Sequence, residues 1–194
     1  IFKTENFLYI SCMIVFMIIV ATLNARKSGK GIKGITWKIA LTLTVVEIVT
    51  QGILLGLQIV PATPQYIIPI SGMMIGNAMV ISVLFLNRFK AEYEASEDQI
   101  ELILSLGGTP KQAIQKHLIA SIKASMIPTI EAQKTIGLVQ LPGMMSGQII
   151  GGADPVVAVQ FQILIIFALL TCATLASIIL GFLIYPTLFN SAMQ

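Results

Sequence analysis

Glu47 is the sole charged residue between Ile39 and Asn87, and Gln51 follows it one helical turn on. An ionisable group at such depth in an apolar run is costly and marks a functional site by default. Two methionine pairs, Met73–Met74 and Met144–Met145, occupy near-repeats: GMMIG at 72–76 and GMMSG at 143–147. Thioethers either fill irregular gaps or form a surface that a soft ion such as Cu(I) can pass, ferrous iron fitting less well. Neighbouring helical residues point about 100° apart, so the two members of a pair cannot both face one pore. Asn77 follows the first repeat. Glu131 and Lys134, three residues apart, can neutralise each other as a pair. Asp154 precedes Pro155 and is either a helix cap or an exit station for a cation. His117, the single histidine, sits beside Lys116 and Gln115 and reads as a cytoplasmic surface residue. No two-His or Cys/His metal spacing exists. The candidates for lining a path are therefore Glu47, Gln51, Met73, Met74, Asn77, Glu131, Met144 and Met145, with the metal ligands left open.

These residues need elements to hold them, and composition says where. Of 194 residues, 56% are hydrophobic and 11% charged, whereas soluble domains carry about a quarter charged residues. The bilayer must be the solvent. Cys12 and Cys172 lie inside apolar runs and suggest neither a disulfide framework nor a zinc site. A crossing takes about 20 mostly apolar residues. That rule predicts span A at 6–25, span B at about 37–60, span C at about 66–86 after the PATP break at 61–64, and span E at about 156–185. A fourth span, D, is expected between Lys111 and Asp154, interrupted by Lys123, Glu131 and Lys134 and kinked at Pro128. The fold class expected is all-α: a polytopic bundle of about five spans forming one transmembrane domain over 1–194. Span A is too long, and too weakly flanked by positive charge, for a signal peptide. The chain begins at Ile1 and not Met, which points to residues upstream.

Positive charge stays on the cytoplasmic side. The A–B loop holds Arg26, Lys27, Lys30, Lys33 and Lys38; the C–D segment holds Arg88, Lys90, Lys111, Lys116 and Lys123; the B–C and D–E loops hold none. The N-terminus of this chain is then outside and its C-terminus cytoplasmic, in a cell (plasma) membrane.

Membrane helices pack through small residues that let backbones approach. Gly52/Gly56, Gly72/Gly76 and Gly143/Gly147/Gly151 repeat at four-residue spacing and lie on one face of their helices. They are expected to pack helices closely, and smooth contacts of this kind would let helices slide or rock.

The cytoplasmic segment 87–117 contains SEDQIELILSLGGTPKQ at 96–112. Ser96 with Gln99 has the spacing of a capping box, Gly107 or Gly108 ends a short helix, and Thr109 with Pro110 starts the next. The helix between is too short to cross a bilayer. It either lies on the inner leaflet or docks on a cytoplasmic partner. Glu101 and Gly107, followed by T-P-x-Q-A at 109–113, resemble the EAA loop of ABC-transporter permeases, although Leu102 and Ile103 stand where that pattern has alanines. In that family the helix seats in a groove of the ATP-binding subunit. The resemblance makes Ser96, Glu101, Leu104, Leu106, Gly107, Thr109 and Pro110 coupling residues.

Other classes fit poorly. An intramembrane protease needs a Ser–His or paired-Asp arrangement within the spans, and Asp98 and Asp154 fall on opposite sides. A Walker A run is absent. A secondary transporter or channel for metal cations, with Glu47 or Glu131 as its ion site, remains the alternative. The stretches IPISGMMIGNAMV (68–80), LSLGGTPKQA (104–113) and IPTIEAQKTIGLVQLPGMMSGQIIGGADPV (127–156) resemble the FetB-type permease family of iron-export and metal-resistance ABC transporters, which has a plant relative linked to aluminium tolerance. The resemblance is strong over 66–185 and weaker before it. It implies a non-catalytic permease subunit exporting metal ions, iron in the family's usual role, paired with a cytoplasmic ATP-binding protein. It also implies a second copy of this chain, the lipid bilayer as surroundings, ATP and Mg held by the partner only, and no nucleic acid. Family members carry further apolar sequence upstream of span A, so N-terminal spans are expected to be missing here.

Overall fold

A computed structural model describes residues 7–32, 34–136 and 142–187. Seven helices lie within those residues: α1 (Phe7–Ala25), α2 (Ile35–Gly56), α3 (Pro64–Ala95), α4 (Glu97–Ser105), α5 (Pro110–Lys134), α6 (Gly143–Ile150) and α7 (Pro155–Ile184), the last running into a 3-10 turn at Tyr185–Thr187. The chain is an all-α membrane bundle. Among the described residues, the segments 35–56, 64–95 and 155–187 are long and apolar enough to cross a bilayer. Lys33 of the A–B loop, residue 6 at the start of span A and residues 137–141 of span D lie outside the described residues.

Local chemistry explains the ends. α3 and α7 each begin with proline, whose missing N–H costs nothing there. Asp154 caps α7, its Oδ1 accepting from Val156 N at 2.7 Å. Span E is thus met within a residue at each end. Span B ends earlier than expected, at Gly56, with Leu57 as its cap. Span C runs well past Asn87, because nothing from 87 to 95 breaks a helix and Lys90 pairs with Glu94 one turn on at 3.8 Å. Span D is not one apolar rod. It divides into α5 and α6, and α5 carries Lys111, Lys116, Lys123, Glu131 and Lys134 while running on through Pro128.

α3 is the hub and packs against α1, α2, α5 and α7. Phe85 and Phe89 stack at its core, ring centroids 5.5 Å apart. α5 packs through a narrow face of Ala113, His117, Ser121 and Ser125 at four-residue spacing, all buried. Ser121 and Ser125 satisfy their hydroxyls on carbonyls of their own helix, those of His117 and Ile122, both at 2.8 Å. On α7, Gly181 is the glycine at which helices approach closely. A Cβ there would stand 3.0 Å from Leu118 Cδ1 and 3.4 Å from Phe85 Cζ. Lys38 Nζ donates to Thr187 Oγ1 at 2.7 Å, so the start of α2 and the end of α7 share one end of the bundle.

Candidate functional site

A polar cluster lies where α2, α3 and α7 meet. Glu47 is only 5% exposed, midway along α2, and among the described residues neither carboxyl oxygen meets strict hydrogen-bond geometry, with the Ser71 and Gln51 side chains beside it. These two are joined to each other, Gln51 Nε2 donating to Ser71 Oγ at 2.7 Å. From α7 comes Cys172, fully buried, within electrostatic reach of Glu47. Its Sγ donates to the Met74 carbonyl at 3.2 Å. Asn77 lies beside the thiol and donates from Nδ2 to the Leu169 carbonyl at 3.1 Å. Thr50 is also buried here but settles its hydroxyl on the Val46 carbonyl at 2.7 Å.

The contrast with the hydroxyls is chemical. A serine or threonine in a helix can always donate to a carbonyl one turn back. A carboxylate has no proton to donate, and its own helix offers no free N–H in mid-run. An ionised carboxylate without close partners is costly in such surroundings.

The methionine pairs diverge. Met74 is buried in the core, and Met73, its neighbour, is exposed. Met144 and Met145 are half-buried on α6, with Met144 packed against the core. Glu131 is exposed and paired with Lys134, Nζ to Oε1 2.6 Å, as its spacing predicts. The structure therefore gathers Glu47, Gln51, Met74 and Asn77 with α7, and leaves Met73 and Glu131 on exposed surface. His117 is not a surface residue. It is buried, with Nδ1 3.8 Å from Glu92 Oε2 of α3.

The glycine ladders also need correction within this chain. Among the described residues, a Cβ at Gly52, Gly56, Gly76, Gly143 or Gly147 would meet nothing within 4 Å, and at Gly72 it would graze Met17 Cε at 4.0 Å. Gly151 caps α6 and approaches only the carbonyls of Gly147 and Gln148. Among the described residues these glycines join no two helices of this chain; the tight helix–helix contact belongs to Gly181.

At the other candidate site, α4 is anchored on α5. Ile100 is buried, Ile103 and Leu104 are half-buried, and Leu102 and Leu106 are 59% and 79% exposed. Glu101 and Thr109 are also exposed. The helix ends in a Schellman motif: Gly108 N donates to Ile103 O at 2.9 Å and Gly107 N to Leu104 O at 3.0 Å, with Gly107 at φ +84°. The capping box forms at Thr109 and Gln112 and not at Ser96 and Gln99. Ser96 has ψ 17°, while Thr109 has the extended ψ of 152° that aims a cap side chain at its helix.

The profile of the family described as "Uncharacterised protein family (UPF0014)" matches residues 1–189. The chain belongs to the UPF0014 family. Among UPF0014 relatives, the membrane protein YjkA of Bacillus subtilis is 54% identical over all 194 residues, covering 78% of YjkA. The probable iron export permease protein FetB of Escherichia coli is 39% identical over the whole chain, covering 75% of FetB. The protein ALUMINUM SENSITIVE 3 of Arabidopsis thaliana is 33% identical, again over the whole chain and 71% of that protein. No solved structure matches the chain. The UPF0014 match takes in α2, α3, α4 and α7, and so both candidate sites. Two residues beside Glu47, Ser71 and Cys172, escape a sequence reading of this UPF0014 chain, as does Gly181 at the helix packing contact. Each is a small residue in an apolar run, and no local period distinguishes them.

Proposed function

We propose that this chain is the membrane-spanning permease subunit of an ABC transporter that exports metal ions, iron foremost. A separate cytoplasmic subunit holds ATP and Mg and hydrolyses the nucleotide, while this chain binds no cofactor and is not an enzyme. Two copies pair about a two-fold axis, and the open glycine faces of α2, α3 and α6 are available for that contact. The A–B loop and the segment 87–117 are cytoplasmic, with the N-terminus of this chain outside and the C-terminus inside.

The observation that carries this reading is α4. It turns Leu102 and Leu106 outward next to Glu97, Asp98 and Glu101, and holds no Lys or Arg. Helices that lie on membranes present basic polar faces to anionic headgroups, so an acidic one is repelled from the inner leaflet. An exposed apolar ridge flanked by acids suits a basic protein groove. The tight turns at either end let the helix transmit force to α3 and α5.

The test is ATP-driven iron flux in everted vesicles containing both subunits. Glu101→Arg should uncouple ATP hydrolysis from flux; undiminished coupling would exclude docking through α4. Glu47 favours a second reading, a gradient-driven cation carrier. Such a carrier would keep its flux in the Glu101→Arg variant and without ATP.

A further inference from the structure

We propose that the loop between α1 and α2 holds a binding site for the headgroup of an anionic phospholipid, with Arg26, Lys27 and Lys30 as its cations. The site goes beyond the export reading and is tested without ATP, metal or a second subunit.

Three observations carry the proposal. First, the loop borders a cavity. An open space of about 480 Å³ is lined by Arg26, Lys27 and Lys30 together with Ile32, Ile35 and Thr36, within the ~300–1,000 Å³ of ligand clefts. The three cations are exposed and free to meet a ligand. The loop itself is folded: Gly29 N donates to Arg26 O and Ile32 N to Gly29 O, both at 3.2 Å. Gly29 is buried against α2, where a Cβ would collide with Ile35 Cγ1.

Second, the charge is uncompensated. No Asp or Glu occurs from residue 6 to residue 46, and among the described residues no salt bridge takes in any of the three cations. The other basic segment, 87–117, interleaves Glu92, Glu94, Glu97, Asp98 and Glu101 with its cations and pairs Lys90 with Glu94. Keeping a loop on one side of a membrane needs positive charge alone. It needs neither a cavity nor freedom from acids.

Third, the cations end an apolar stripe. Phe16, Ile19, Val20 and Leu23 of α1 are exposed, and Arg26 and Lys27 continue their spacing of three and four residues along one face. Arg26 N still donates to the Thr22 carbonyl at 3.0 Å, so the helical path reaches that far. Trp37, 74% exposed at the start of α2, is the residue type that settles at headgroup level. The whole has the outline of an amphiphile, with acyl chains along the stripe and phosphate among the cations. A guanidinium grips two phosphate oxygens at once, while the lysines act as point charges. Basic pockets between membrane helices take anionic headgroups in this way. A free phosphate would satisfy the cations and leave the stripe unused, so the lipid is the occupant.

The experiment is native mass spectrometry of the wild-type chain released from detergent, titrated with phosphatidylglycerol or with phosphatidylcholine of the same acyl chains. Each basic residue near an anionic surface is worth about fivefold in affinity, so phosphatidylglycerol should bind about a hundredfold more tightly. Arg26→Gln, Lys27→Gln and Lys30→Gln together should make the two lipids bind alike. Lys111→Gln, Lys116→Gln and Lys123→Gln together remove the same charge from α5 and should leave the preference unchanged. Thermal scans check the folding of both variants; should the first fail to fold, Lys30→Gln alone is expected to cost about fivefold. Equal binding of the two lipids by the wild type, or an equal loss in the α5 variant, overturns the proposal and leaves a loop that only sets topology. Displacement of the lipid by an equal concentration of inorganic phosphate would mark a free-anion site and overturn the lipid assignment. None of these outcomes bears on ATP-driven flux, so the export reading stands or falls separately.

Discussion

Gln51 Nε2 stands 2.7 Å from Ser71 Oγ, tying α2 to α3 beside the buried carboxyl of Glu47. Interhelical hydrogen bonds in membrane bundles average about 0.6 kcal/mol and reach about 1.7. Ser71→Ala should therefore lower stability by an amount in that range, measured as denaturant unfolding in mixed micelles. An unchanged midpoint would mean that the bond does not hold the helices.

Glu47 should behave in the opposite way. Glu47→Met replaces an unsatisfied buried group with an apolar one of similar length, relieving a penalty of about 1–3 kcal/mol. The variant should be as stable as the parent or more so, and should lose metal transport. A destabilised variant would show that the carboxyl is bonded within the fold.

Gly181 is where α7 meets α5 and α3 most closely. Gly181→Ala needs Leu118 to give by a few tenths of an ångström, and gains helix propensity of about 1 kcal/mol, so it should be nearly neutral. Gly181→Leu should cost about 1–3 kcal/mol by overpacking. Thermal unfolding of the two variants in one detergent checks the difference. By contrast, Gly52→Ala and Gly143→Ala meet nothing among the described residues, and a loss there would register contact with a second copy.

On α4 the two faces should separate by assay. Leu106→Asp changes an exposed side chain and should leave the melting curve within about 0.5 kcal/mol of the parent, while abolishing co-purification with the ATP-binding subunit. Ile100→Ala removes a buried anchor and should cost about 2 kcal/mol or more, loosening α4 from α5. Retained co-purification of Leu106→Asp counts against docking on this ridge.

Gly107 is held at φ +84°, where a Cβ costs about 1–2 kcal/mol. Gly107→Ala should fray the end of α4, read as faster amide exchange at residues 103–108. Slow exchange equal to the parent would show that the turn accommodates alanine.

Much of the outline was legible in the residues because it is local. The start of α7 follows from Asp154-Pro155, and its crossing from the forty uncharged residues, 155–194, that begin there. The stop at Gly107 and the restart at Thr109-Pro110 follow from backbone conformations that few residue types tolerate. The pairing of Glu131 with Lys134 follows from helical spacing alone. Ser96 misled because a capping-box pattern needs an extended cap residue, and α3 delivers its chain to Ser96 in another conformation. The length of α3 misled because hydropathy marks where apolar residues end, not where a helix does.

The sequence by itself determined that this chain is a helical membrane protein, and that Glu47 is an acid placed where acids are expensive. Only the tertiary structure decided that Ser71 and Cys172 stand beside it. It also decided that Gly181, and not the glycine ladders, is where glycine lets helices of this chain meet closely. The reason is physical. Caps, turns and hydropathy depend on neighbours a few residues away, whereas the surroundings of Glu47 include Ser71 and Cys172, which only the docking of α3 and α7 against α2 brings near.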